Sequence, residues 1–126
     1  MADDGTRADE QVRFVIDIEV TDIELFKATA AACVEVSRTE PGTLVYDWYL
    51  DETTGRARLY EAYASLDALR IHTSGPVFTD VGLPMMECAN FVHVDAFGDL
   101  GGPANRASFW PTTYWGTAIA SVNPRD

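Results

Sequence analysis

The chain carries two histidines, His72 and His93, and imidazole is the side chain best matched to taking or returning a proton near neutral pH. His72 lies in a helical stretch and could accept the proton of a bound hydroxyl or orient it. His93 lies in an alternating stretch, where strict alternation gives it one face with Phe91, Asp95 and Phe97. Asp17 and Glu19 take the same orientation on an earlier strand. A carboxylate beside the His93 imidazole would raise its basicity and fix its tautomer. Tyr63 offers a phenol to a substrate oxygen and shares its face with Glu61. Tyr46 and Trp48 could wall a planar ligand, although both faces of their strand carry aromatics and the inward one stays open. His72, His93 and Tyr63 are thus the candidate catalytic groups, with Trp48, Tyr46, Asp17, Glu61 and Phe91 as candidate substrate contacts. The chemistry they suit is proton transfer on a small aromatic molecule.

Other chemistries lack their signatures. No Cys/His or His/carboxylate cluster has local metal-ligand spacing, so no metal is expected. The glycines form no phosphate cradle, and no serine sits in a nucleophile-elbow pattern. Cys33 and Cys88, far apart in predicted helices, read as small buried hydrophobes in a reducing cytoplasmic setting.

Periodicity supplies the elements that must position these residues. Val12, Phe14, Ile16, Ile18 and Val20 alternate with Arg13, Val15, Asp17 and Glu19, which predicts a strand with one apolar face. Thr21-Asp22-Ile23-Glu24 reads as a capping box in which Thr21 and Glu24 serve the first turn. The helix after it places Leu25, Ala28, Thr29, Ala32 and Val36 on one stripe and stops at Glu40-Pro41-Gly42. Residues 43–50 and 56–64 read as an antiparallel hairpin across a polar turn. Ser65 caps a short helix ending near Thr73, and a second helical stretch over 77–89 is split by Gly82 and Pro84. Residues 91–97 make a fourth strand.

The order is β-α-β-β-α-β, the split ferredoxin-like arrangement: an α+β domain over 12–97 with a four-stranded antiparallel sheet and helices on one face. The other face is expected to carry the polar and aromatic residues that line a pocket closed by a second copy. A monomer would leave Phe91, Phe97 and Tyr63 in water, so a homodimer is expected. Residues 1–11 are polar and read as a disordered leader. The tail, 98–126, holds Phe109, Trp110, Tyr114, Trp115 and Ile119, too apolar for a solvated segment. It is expected to pack on the dimer or over the pocket mouth, with a short strand near 114–121.

The formal charge is −11 over 126 residues. That argues against nucleic acid and anionic membrane surfaces as partners. No apolar run reaches membrane-spanning length.

Three segments carry a family resemblance. Glu40-Pro41-Gly42-Thr43-Leu44, Leu59 to Ser65 and Leu66 to His72 resemble, in order and spacing, elements of antibiotic biosynthesis monooxygenase domains, a match covering roughly 12–97. The resemblance implies a homodimeric α+β barrel that oxygenates phenolic, anthrone-like or hydroquinone-type substrates with molecular oxygen and no flavin, metal or haem. His72 matches the family's recurrent helix histidine. Haem-degrading relatives carry an aromatic at the place of Tyr63, but their axial histidine near 81–85 has no counterpart here, and no cofactor is expected. Glu61 could alternatively hold the dimer through Arg58. The implied function is a cofactor-independent monooxygenase or oxidase on an aromatic polyketide. A cyclase or isomerase working without oxygen in the same pocket, or a non-catalytic ligand-binding dimer, are the alternatives.

Overall fold

The computed structural model describes residues 11–102 and 110–122; the expected leader lies almost wholly outside them. The chain runs β1 (Val12–Val20), α1 (Ile23–Ser37), β2 (Thr43–Asp51), β3 (Arg56–Tyr63), α2 (Leu66–Ser74), a π-helical turn (Val77–Val81), α3 (Met85–Cys88), β4 (Ala89–Phe97) and β5 (Thr112–Tyr114). The fold is α+β and ferredoxin-like. The sheet order is β2-β3-β1-β4-β5. β1 pairs antiparallel with β3 and β4, and β2 antiparallel with β3.

The expectation of four antiparallel strands is corrected in two respects. A fifth strand is present, and it pairs parallel to β4. It comes from the tail, at 112–114 rather than 114–121. Parallel pairing needs a long crossover, and the stretch after Gly98 supplies it. Backbone bonds from Val94 N to Pro111 O, Trp115 N to Ala96 O and Gly98 N to Gly116 O, each 2.8 Å, fasten this strand to the sheet.

The core forms where the apolar face of β1 meets the helices. Ile16 and Ile18 pack with Leu59 of β3, Val94 of β4, and Met85 and Cys88 of α3. The buried stripe of α1 is Phe26, Thr29, Ala30, Cys33 and Ser37, one residue round from the stripe expected around Leu25 and Ala28. Phe26 decides the rotation, because its ring packs edge-on against Trp48 at 5.6 Å. Burying a side chain of that size contributes roughly 1.5–3 kcal/mol.

The helix starts also differ in part. α1 is capped by Asp22, whose Oδ1 accepts from Leu25 N at 3.1 Å, and not by Thr21. Thr21 is one residue too early, and its N–H donates to Cys88 O. Ser65 does cap α2, accepting from Ala68 N at 3.2 Å. The segment after α2 breaks as its Gly and Pro require: the π-helical turn ends at Gly82, and α3 begins after Pro84. Gly42 has a packing role, since a methyl there would lie 2.4 Å from Ala68 Cβ, and this close approach lets α2 seat on the hairpin.

Candidate active site

A cavity of about 500 Å³ lies between the sheet and the helices of a single chain. That volume is in the range of small-molecule pockets. Register explains which side chains reach it. Phe14 and Ile16 of β1 lie opposite Glu61 and Leu59 of β3, and these lie opposite Tyr46 and Trp48 of β2. All six line the cavity, which settles the open question for β2: Tyr46 and Trp48 face inward, while Val45, Asp47 and Tyr49 face away.

The placement corrects the expectation that the pocket lies on the bare face of the sheet. For Phe91 the difference traces to one residue in β4. Asp17 pairs with His93 but Ile18 pairs with Phe91, so Val92 is a bulge that breaks the alternation. Phe91 therefore turns to the helix side, lines the cavity and packs on Trp110 with centroids 5.0 Å apart. His93 stays on the bare face, with Nε2 3.0 Å from Thr113 Oγ1 and 3.5 Å from Asp95 Oδ1. Asp17 is there too, but it accepts from Arg58 Nε at 2.5 Å instead of meeting the imidazole. Arg58 is thus the partner of Asp17 and not of Glu61, because positions 58 and 61, an odd number of residues apart on β3, project to opposite faces. Of the residues expected to be exposed in a monomer, Tyr63 is fully buried on the helix side, and Phe97 stacks on Trp115.

The polar groups collect at one end of the cavity. Tyr63 donates its hydroxyl to Glu61 Oε1. Burial pushes the Glu61 carboxyl up from 4.5 to about 7, and the Tyr63 bond offsets part of that rise. Burial first, and the nearby Glu61 charge second, hold the Tyr46 and Tyr63 phenols well above their ordinary range, so both remain hydrogen-bond donors at working pH. Burial likewise pushes the Cys33 thiol up to about 11, partly offset by a hydrogen bond with Tyr46, and at that value it is no nucleophile at neutral pH.

His72 completes this end. It is 1% exposed, and its ring is enclosed by Tyr46, Tyr63 and Phe78 at centroid distances of 4.9, 5.2 and 5.7 Å. Its Nδ1 lies 2.8 Å from Glu40 Oε1. Glu40 was legible only as part of the turn that ends α1. Its chemical placement needs the fold, which brings the end of α1 against α2. His72 Nε2 and Trp48 Nε1 are both buried without a partner among the described residues.

The tail contributes the remaining wall: Leu100, Trp110, Thr112 and Tyr114 all line the cavity. Among the described residues, no three His, Cys, Asp or Glu side chains gather as a metal site would require. No described helix is long and apolar enough to cross a membrane.

The sequence profile of the antibiotic biosynthesis monooxygenase family matches residues 12–81, more than half of the chain. The chain belongs to that family. Solved structures share the fold at low identity. MupZ from Pseudomonas fluorescens is 21% identical over 71% of this chain and 69% of its own, with a TM-score of 0.62. SnoaB, a cofactor-independent oxygenase from Streptomyces nogalater, is 14% identical over 75% of this chain and 97% of its own, also with a TM-score of 0.62. A conserved protein from Methanosarcina mazei is 16% identical over 72% and 94%, with a TM-score of 0.62. No curated protein matches the sequence significantly. The family match ends at 81, so β4 and the tail wall of the cavity lie beyond it.

Proposed function

We propose that this chain is a cofactor-independent oxygenase of a hydroxylated aromatic or anthrone-type substrate, with Glu61 as the base. The observation that carries the reading is a carboxyl raised to about 7 in the wall of a largely apolar cavity that includes Tyr46, Trp48 and Phe91. A base with that value is half ionised at neutral pH and still basic enough to accept a proton from an acidified C–H or O–H. Family membership and the likeness to a cofactor-independent oxygenase support the same reaction class.

The reaction needs no redox group from the protein. Glu61 removes a proton from an activated CH2, and the carbanion passes one electron to O2. The resulting radical and superoxide combine into a peroxide anion, which takes the proton back from protonated Glu61 and becomes the hydroperoxide. Loss of water, with the second C–H proton, leaves a carbonyl. The net change is CH2 plus O2 to C=O plus H2O. The protein contributes the base, an apolar wall that excludes bulk water, and donors for the anion. Tyr63 holds Glu61 in place, and Tyr46, Trp48 and Phe91 sandwich the planar substrate.

In this reading the bare face seats a second copy of the chain. Tyr49 and Tyr60 pack edge-on there at 5.5 Å and are 57% and 41% exposed, with Val45 beside them. His93 and Asp17 then belong to the subunit interface and not to the reacting centre. The test is oxygen consumption by the purified, metal-free and flavin-free protein given an anthrone. Uptake that Glu61→Gln abolishes supports the assignment. Turnover that continues without oxygen would replace it with a cyclase or isomerase, and recovery of unaltered ligand with a binding protein.

A further inference from the structure

We infer that Glu40 is a positioning residue that fixes His72 with its proton on Nδ1, leaving Nε2 as the acceptor for a hydroxyl on the aromatic ligand. The inference rests on the reading of the cavity as a site for hydroxylated aromatics.

Three observations converge on it. Glu40 Oε1 lies 2.8 Å from His72 Nδ1, with the side chains only 10% and 1% exposed, so solvent does not compete for the bond. The same oxygen accepts from Thr43 Oγ1 at 2.9 Å. An oxygen already accepting from Thr43 acts as an acceptor toward the imidazole too, which places the proton of that contact on Nδ1. In a neutral ring the other nitrogen then carries a lone pair, and Nε2 is buried without a partner among the described residues. A buried polar atom left unsatisfied is costly, and such atoms call for an explanation by function or ligand.

The surroundings define what can satisfy it. The neighbouring rings are Tyr46, Tyr63 and Phe78. Tyr63 spends its hydroxyl proton on Glu61, the Tyr46 hydroxyl is engaged with Cys33, and phenylalanine has none to give. A ligand hydroxyl therefore satisfies this nitrogen, donating to Nε2 while its ring lies in the aromatic part of the cavity. Phe78 is the ring that yields to admit it, since it is half exposed and sits on the short π-helical turn. This division leaves proton removal to Glu61 and orientation of the substrate to His72.

The test uses the full-length protein with 15N-labelled histidine at pH 8. With two histidines in the chain, a His93→Gln spectrum assigns His72 by subtraction. The expected spectrum shows a protonated Nδ1 and a pyridine-type Nε2 for His72. A protonated Nε2, alone or in an imidazolium, would overturn the inference without any substitution at Glu40. The second readout is the anaerobic affinity ratio of 2-naphthol to naphthalene. The wild type should favour the naphthol by roughly three- to tenfold, the worth of one net hydrogen bond. Glu40→Leu should bring the ratio close to one while naphthalene binding holds, and Glu40→Gln, which keeps an acceptor, should restore it. A ratio unchanged in Glu40→Leu would overturn the inference. Oxygen uptake plays no part in these measurements, so they stand or fall apart from the oxygenase reading.

Discussion

Replacing Glu61 by Gln should make the protein more stable at alkaline pH, although it removes the proposed base. Gln keeps the shape and an oxygen that accepts from Tyr63, and it removes only the charge. The wild-type carboxyl titrates near 7 in the fold against 4.5 as an ordinary side chain. The folded chain thus binds that proton more tightly than the unfolded chain. Its stabilising contribution is complete below pH 4.5 and is lost as pH rises through 7. The full difference corresponds to about 3 kcal/mol, of which about 2–3 kcal/mol falls between pH 5 and pH 8. Urea unfolding of both proteins at those two pH values, at one fixed protein concentration, isolates this group because every other titration cancels. Relative to its standing at pH 5, Glu61→Gln should gain that amount at pH 8, on the order of 10 °C in melting temperature. A stability difference that does not change with pH, or that moves against Gln as pH rises, refutes the claim that the fold raises the Glu61 pKa.

Tyr63→Phe removes the bond that favours ionised Glu61, so the acid limb of the rate profile should move to higher pH, read from kcat/KM between pH 5 and 9. Trp110→Ala removes the ring packed on Phe91 and opens the cavity wall. It should raise KM for a tricyclic substrate several-fold with a smaller effect on kcat, checked by steady-state oxygen uptake. Gly42→Ala must push α2 away from its 2.4 Å contact and should cost about 1–3 kcal/mol in a denaturation experiment. Tyr60→Glu places charge on the bare sheet face. It should turn a dimeric mass into a monomeric one by light scattering, with the far-ultraviolet circular dichroism spectrum retained.

The parts of this fold that were legible in sequence are those governed by local rules. Val12 to Val20 alternates because one face is buried, Ser65 precedes its helix as a cap, and Gly82 with Pro84 interrupts the second helical segment. What was not legible depended on partners distant in sequence. The bulge at Val92 exists only in the pairing of β4 with β1, and it moved Phe91 into the cavity while leaving His93 outside. β5 is three residues long and acquires its identity from the edge of β4. Glu40 looked like part of a helix stop, since nothing local says that α2 will deliver His72 to it. Glu61, Tyr63, Tyr46 and Trp48 came from the sequence as site candidates, but their common face became definite only through register.

Oxygen consumption is the most direct measurement of the central claim. Metal-free, flavin-free protein is supplied with an anthrone in air-saturated buffer, and uptake is followed beside the Glu61→Gln variant. The wild type should consume one O2 per quinone formed, and the variant should show only the uncatalysed background. Equal uptake by both proteins would contradict the role of Glu61, and no protein-dependent uptake across anthrone and hydroquinone substrates would contradict the oxygenase itself.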